Sequence, residues 1–133
     1  MLEELSDILT ALKSNFNIES NIGIELHPRD IKEETLLKLK NIGFDMVSIG
    51  IQSFEEKCLR ILGREYINGA EKVKMAAAAG FTTIDVDLIF GIEEQTKEDL
   101  KSDFITAFNS GATQVSTYPF IDFSYANNKS KPL

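Results

Sequence analysis

Gly43, Gly80 and Gly111 each stand between a stretch of helical spacing and a stretch that reads as strand. "DIKEETLLKLKNIG" leads into "DMVSIGIQ", "EKVKMAAAAG" into "IDVDLIFG", and "KEDLKSDFITAFNSG" into "TQVSTYPFI". An amphipathic helix with Leu2, Leu5, Ile8, Leu9 and Leu12 at helical spacing precedes a first strand in "IGIELHP". A further helical segment, "FEEKCLRILG", comes after the second strand. Glycine after a helix predicts a left-handed cap. A capping residue with a carboxylate three positions on predicts helix starts at Asp30, Ser53, Asn68 and Thr96. The unit recurs at about the length of a βαβ motif, so the chain is expected to form a parallel sheet with right-handed crossovers.

The faces of the strands narrow the choice further. Side chains alternate along a strand. One face reads Ile22, Ile24, Leu26, then Val47, Ile49, Ile51, then Ile84, Val86, Leu88. The other reads Gly23, Glu25, His27, then Ser48, Gly50, Gln52, then Asp85, Asp87, then Gln114, Ser116, Tyr118. A doubly wound sheet is covered by helices on both sides and its strands are apolar throughout. These strands keep one polar face, so helices are expected on one side only. That is the geometry of a partial (β/α) TIM-like barrel: α/β, about four parallel strands, helices on the outer face. Functional groups of such a fold sit at the C-terminal ends of the strands. Glu25, Gln52 and Asp87 lie near those ends.

Composition excludes several classes. A net charge of −7 opposes a nucleic-acid partner, which needs a basic face. No apolar run approaches the length of a membrane span, and the acidic start lacks the basic region of a signal peptide. One cysteine, Cys58, forms no internal disulfide and fits a reducing, cytoplasmic compartment. The chain reads as a single domain over residues 1–133, with a loose tail over 125–133.

"IELHP", "SIGIQSF", "LGRE" and "IDVDLIFGIEEQT", in this order and spacing, resemble the radical S-adenosylmethionine (SAM) enzymes, in particular the oxygen-independent coproporphyrinogen III oxidase-like branch. The resemblance covers about residues 4–120 and implies the middle portion of a six-unit partial barrel. It also implies a chemistry. A four-iron four-sulfur cluster reduces SAM, and the 5′-deoxyadenosyl radical takes a hydrogen atom from a small-molecule substrate. In this branch that substrate is a tetrapyrrole, whose propionates are decarboxylated. Carried over position by position, Glu25, Gln52, Arg64 and Asp87 match the SAM-contacting residues of the family. Arg64 suits the methionine carboxylate, and the other three suit hydroxyl or amino donors. Asp85 reads as a solvated or capping residue and is left outside the site. Cys58 reads as a small buried residue, and Tyr118 and Phe120 as core.

One departure is large. The family holds its cluster on a Cys-x3-Cys-x2-Cys loop after the first strand, and a cluster needs several thiolates. Here Cys58 is alone, and the glycine-rich SAM motif expected just before Met1 is absent. The chain is therefore expected to be a fragment with no catalytic residue and no metal site of its own. SAM is its expected cofactor, and the cluster belongs only to a full-length parent. Other readings are a non-enzymatic binding or scaffold protein, a radical SAM methyltransferase and a haem-processing enzyme. An aldolase-type barrel would want a lysine at a strand end, and none of the four strands offers one. The outer strands are expected to leave open edges, whose unpaired backbone groups favour a homodimer through those edges.

Overall fold

The computed structural model describes residues 2–122, so the expected tail over 125–133 lies outside the described residues. Helix α1 spans Leu2–Asn15. Strand β1 (Gly23–Leu26) and a short 3-10 turn (Pro28–Asp30) lead to α2 (Glu33–Ile42). Strand β2 (Met46–Gln52) is succeeded by α3 (Glu56–Ile61) and α4 (Gly69–Ala78). Strand β3 (Thr83–Phe90), α5 (Lys97–Asn109) and β4 (Gln114–Pro119) complete the order. The strands form one sheet in the order β1-β2-β3-β4, and every pairing is parallel. No described helix is long and apolar enough to cross a membrane.

The core lies on one side of this sheet, as the alternation predicts. Val47, Ile49, Ile84, Val86 and Leu88 point into it and are buried beneath helical residues Leu36, Leu39, Val73, Ala76 and Ala107. Fully burying one such aliphatic side chain is worth roughly 1.5–3 kcal/mol, so this face holds the sheet to its helices. The three glycine turns are left-handed, with φ of 115° at Gly43, 81° at Gly80 and 107° at Gly111. At Gly43 and Gly111 the next residue donates its N–H five positions back, Phe44 to Leu39 and Ala112 to Ala107, closing a Schellman turn. Each of these two turns reverses the chain from the outer helix layer straight into a strand.

Two of the expected helix starts hold and two do not. The Asn68 side chain accepts from the Glu71 N–H. Thr96 and Asp99 form a reciprocal capping box. Helix α2 instead starts after Lys32, because Asp30 is taken up by the 3-10 turn that Pro28 initiates. Helix α3 starts after Glu55, and Ser53 is drawn away to a partner on α5. On α1 only Leu9 is buried, while Ile8 and Leu12 remain largely exposed. The helix packs chiefly against α2 along one narrow stripe, so the rest of its apolar face has no cover among the described residues.

Candidate functional site

The face of the sheet without helices carries a row of polar residues. Register places Glu25 beside Ser48, Ser48 beside Asp85 and Asp85 beside Gln114, one residue from each strand. Asp87 stands one step further toward the strand ends, beside Ser116. The Ser48 hydroxyl donates to Asp87 Oδ2 at 2.7 Å. Ser116 Oγ and Gln114 Nε2 both donate to Asp85 Oδ2, at 2.7 and 3.0 Å. Asp85 Oδ1 is buried and has no hydrogen-bond partner among the described residues.

Asp87 is only 8% exposed and forms no ion pair among the described residues. Burial pushes its carboxyl above the ordinary range, and the negative charges of Asp85 and Glu25 add to the push. The Ser48 hydroxyl opposes it. A carboxylate kept here without a cation is costly to the fold, which favours a role in taking up a positive or donor group from a ligand.

Local structure at the end of β2 sets the remaining residues. The pairing of β2 with β3 shifts between Ile49 and Gln52, and Gln52 has a φ of 71°. This left-handed turn at a non-glycine residue directs the Gln52 amide back over Gly50. A Cβ at Gly50 would stand 3.0 Å from Gln52 Nε2, so glycine is what leaves room for the amide. Helix α3 ends in a third Schellman turn, with Gly63 at φ 67° and the Arg64 N–H donating to Leu59 at 2.8 Å. That turn points the Arg64 side chain to the Gly50 carbonyl, 3.4 Å from Nη1. Arg64 also lines a cleft of about 180 Å³ at the ends of β1 and β2, together with His27, Arg29, Gly50 and Glu65. Arg29 and Glu65 pair across it at 2.5 Å, both well exposed.

The four residues expected from sequence thus gather at the C-terminal half of the sheet. Glu25 and Asp87 flank Ser48, while Gln52 and Arg64 both reach Gly50. Sequence reasoning left out Asp85, which the structure puts in the same row with a free oxygen. Its parity with Asp87 was the available signal. From sequence Ser53 reads only as a helix cap and Asp103 carries no signal, yet the two residues are 1% and 0% exposed. Ser53 Oγ donates to Asp103 Oδ2 at 2.8 Å, and the Phe54 N–H donates to Asp103 Oδ1 at 2.7 Å. No local pattern announces that pair, since 49 residues of chain separate Phe54 from its acceptor.

The chemistry of the donor set can be matched against the two groups that the resemblance implies. The orphaned Asp85 oxygen, the buried Asp87 carboxylate, the open ledge at Gly50 and the Arg64 guanidinium fit SAM, which carries a carboxylate, an ammonium group and hydroxyls. An iron–sulfur cluster does not fit these residues. Cys58 is the single cysteine, it is fully buried, and burial raises its thiol above the ordinary range. Among the described residues no group of three metal-ligating side chains forms.

The sequence profile of the radical SAM superfamily matches residues 1–104. The chain is 30% identical, over 135 aligned positions, to the oxygen-independent coproporphyrinogen III oxidase of Salmonella typhimurium, covering 92% of this chain and 28% of that protein. It is 30% identical to the heme chaperone HemW of Bacillus subtilis, covering 90% of this chain and 32% of that protein. Among solved structures, coproporphyrinogen III oxidase from Escherichia coli superposes with a TM-score of 0.78 at 27% identity, covering 91% of this chain and 29% of that one. The chain therefore spans under a third of the length of the relatives it matches.

Proposed function

This chain belongs to the radical SAM superfamily, and on that premise we propose that its polar sheet face is the SAM-binding surface of a radical SAM enzyme of the coproporphyrinogen III oxidase type. The observation that carries the reading is Asp87: among the described residues, a buried carboxylate without a cation, on a sheet face that no helix covers. Glu25, Gln52, Arg64 and Asp87 are the proposed contacts. Arg64 pairs with the carboxylate end of the ligand, and moves there from the Gly50 carbonyl that now accepts its weak 3.4 Å bond. Asp87 and Glu25 accept from its ammonium group or hydroxyls, and Gln52 supplies both a donor and an acceptor. Ser48 holds the Asp87 carboxylate in place through its hydroxyl. The apolar face beneath keeps the strands rigid, so Glu25 and Asp87 meet the ligand with little reorganisation, and Arg64 is the group that moves.

SAM, once bound and reduced, supplies the hydrogen-abstracting group of the superfamily; the protein supplies binding and orientation. The proposed substrate is a small molecule, a porphyrinogen of tetrapyrrole biosynthesis, acted on in the cytoplasm, which a lone reduced thiol suits. Similarity to heme chaperones favours a second reading, a haem-handling protein that uses the same surface. Calorimetric titration with SAM tests the common part. Saturable binding is expected; no saturation up to roughly millimolar ligand, an affinity of about −4 kcal/mol, overturns it.

These residues are not expected to assemble a cluster, because one buried thiol does not replace three exposed ones. Anaerobic reconstitution with iron and sulfide, then visible absorption and iron analysis, checks this. A stable, stoichiometric cluster on the chain contradicts it.

Self-association is the further proposal. Among the described residues β1 and β4 each have one hydrogen-bonded neighbour, which leaves an open edge on either side of the sheet. Large apolar side chains are exposed as well: Ile8, Leu12 and Phe16 on and just after α1, Phe108 on α5, and Tyr118 on the edge strand β4, which the sequence had suggested as core. A second copy presents the same edges, so a two-fold homodimer can pair one of them with its own copy, β1 with β1 or β4 with β4. The −7 charge opposes it, and added salt screens that repulsion, so the dimer should tighten with salt. Sedimentation at several concentrations and two salt levels gives the answer. A strict monomer across micromolar concentrations removes the proposal.

A further inference from the structure

We propose that Asp103, reaching up from helix α5, is a positioning residue that holds Gln52 toward the polar face; the proposal rests on the reading of that face as the SAM surface. Gln52 is one of only two non-glycine residues with positive φ among the described residues. Such a backbone is strained and persists where its surroundings over-determine it. It also closes an irregularity in β2, where pairing with β3 slips between Ile49 and Gln52 and the strand is re-aimed.

The two residues after Gln52 are both fastened to one carboxylate. Ser53 Oγ donates to one Asp103 oxygen and the Phe54 N–H to the other, at 2.8 and 2.7 Å. Ser53 Oγ in turn accepts from the Glu55 N–H at 3.1 Å. One turn earlier on α5, Asp99 pairs with Lys57 at 2.6 Å, which ties the start of α3 to the same helix. Asp103 itself is fully buried and has no ion-pair partner among the described residues, and burial pushes its carboxyl above the ordinary range. A buried carboxylate is a poor choice for stability alone, since an aliphatic residue fills such a site at lower cost. What it supplies is two fixed acceptors in the core, one residue past the left-handed turn. On the other side of that turn the Gln52 amide lies over Gly50. The clamp and the proposed ligand contact are thus opposite sides of one short segment.

The experiment compares Gln52→Ala, Asp103→Ala, Asp103→Asn and Ser53→Ala in the full chain. Two readouts are needed: SAM affinity by calorimetry, and the backbone and side-chain amide resonances of Gln52 in the ligand-free protein. Asp103→Ala is expected to displace the Gln52 resonances and weaken SAM by about tenfold, the scale of one lost hydrogen bond and close to Gln52→Ala itself. Asp103→Asn is expected to restore both, because an amide oxygen still accepts from Phe54 and the amide nitrogen donates to the Ser53 hydroxyl oxygen. A residue serving stability alone would lower the melting temperature and leave both readouts in place. A folded Asp103→Ala protein with wild-type Gln52 resonances overturns the inference. If Gln52→Ala leaves SAM affinity unchanged, the SAM reading fails instead, and the resonances still decide the positioning. Should Asp103→Ala not fold, Ser53→Ala carries the same test, with displaced Gln52 resonances expected and unmoved ones overturning the proposal.

Discussion

Asp87→Ala and Arg64→Ala are each expected to weaken SAM binding by roughly tenfold to a hundredfold, the 1.5–3 kcal/mol of a lost hydrogen bond to a charged group. The two act differently. Arg64 is exposed and, among the described residues, makes one long bond to a backbone carbonyl, so its removal should leave stability nearly unchanged. Asp87 is buried, and its carboxyl sits above the ordinary range chiefly through burial. A folded-state value above the unfolded one means that the folded protein holds the proton more tightly. Stability then falls as pH rises from the unfolded value through the folded one, and stays at the lower level above it. Asp87→Asn, which keeps the Ser48 contact and removes the charge, should therefore be at least as stable as the natural chain at neutral pH while binding SAM more weakly. Binding by the natural chain should weaken as pH is lowered through the raised value, where Asp87 takes up its proton. Titration calorimetry at several pH values and thermal melts of the three variants give these results. Wild-type affinity in folded Asp87→Ala and Arg64→Ala proteins ends the assignment of the site.

A residue whose removal stabilises the fold and damages binding is a residue retained for binding. Such residues are what made the candidate site visible in the sequence. Asp85 and Asp87 break an otherwise apolar strand, and their shared parity put them on the face opposite Ile84, Val86 and Leu88. The same alternation separated Ser48 from buried Val47 and Ile49, and Glu25 from half-buried Ile24 and Leu26, so the one-sided sheet was readable from period alone. The glycine turns were equally readable, because only glycine enters the left-handed region freely at helix ends. Other features depend on contacts that no local window contains. Ser53 reads as a helix cap beside Glu56, yet Asp103 claims its hydroxyl from α5. The φ of Gln52 and the slip in β2 sit beside that distant clamp, and a pattern of period two has no way to mark an extra residue. On α1 the helical stripe was correct, but burial depends on what packs against it, and only Leu9 found full cover.

Gly111→Ala is expected to destabilise the fold by about 3–5 kcal/mol, and Gly80→Ala by only about 1–2 kcal/mol, although both glycines end a helix with positive φ. At Gly80 an added Cβ meets nothing within 4 Å, so the cost is that of backbone strain alone. At Gly111 it would stand 2.8 Å from the Cβ of Ala77 on α4, closer than carbon atoms approach. Relief demands that α4 and α5 separate or that the turn opens. Neither is cheap. Ala76 on α4 and Ala107 on α5 are fully buried against the sheet, and the residues after the turn are committed to β3. The Thr113 N–H donates to the Ile84 carbonyl, and Thr113 Oγ1 accepts from the Ile84 N–H, both at 2.9 Å. Those bonds set the register that brings Gln114 and Ser116 onto Asp85. A turn forced open at Gly111 therefore reaches the polar face as well as the core. For a domain with about 5–15 kcal/mol of stability, the expected loss lowers the melting temperature by on the order of 10–20 °C. Calorimetric melts of the two variants measured side by side give the comparison. Equal losses at the two positions would mean that α4 and α5 are not in close contact at Gly111, and that the register of β4 is set elsewhere.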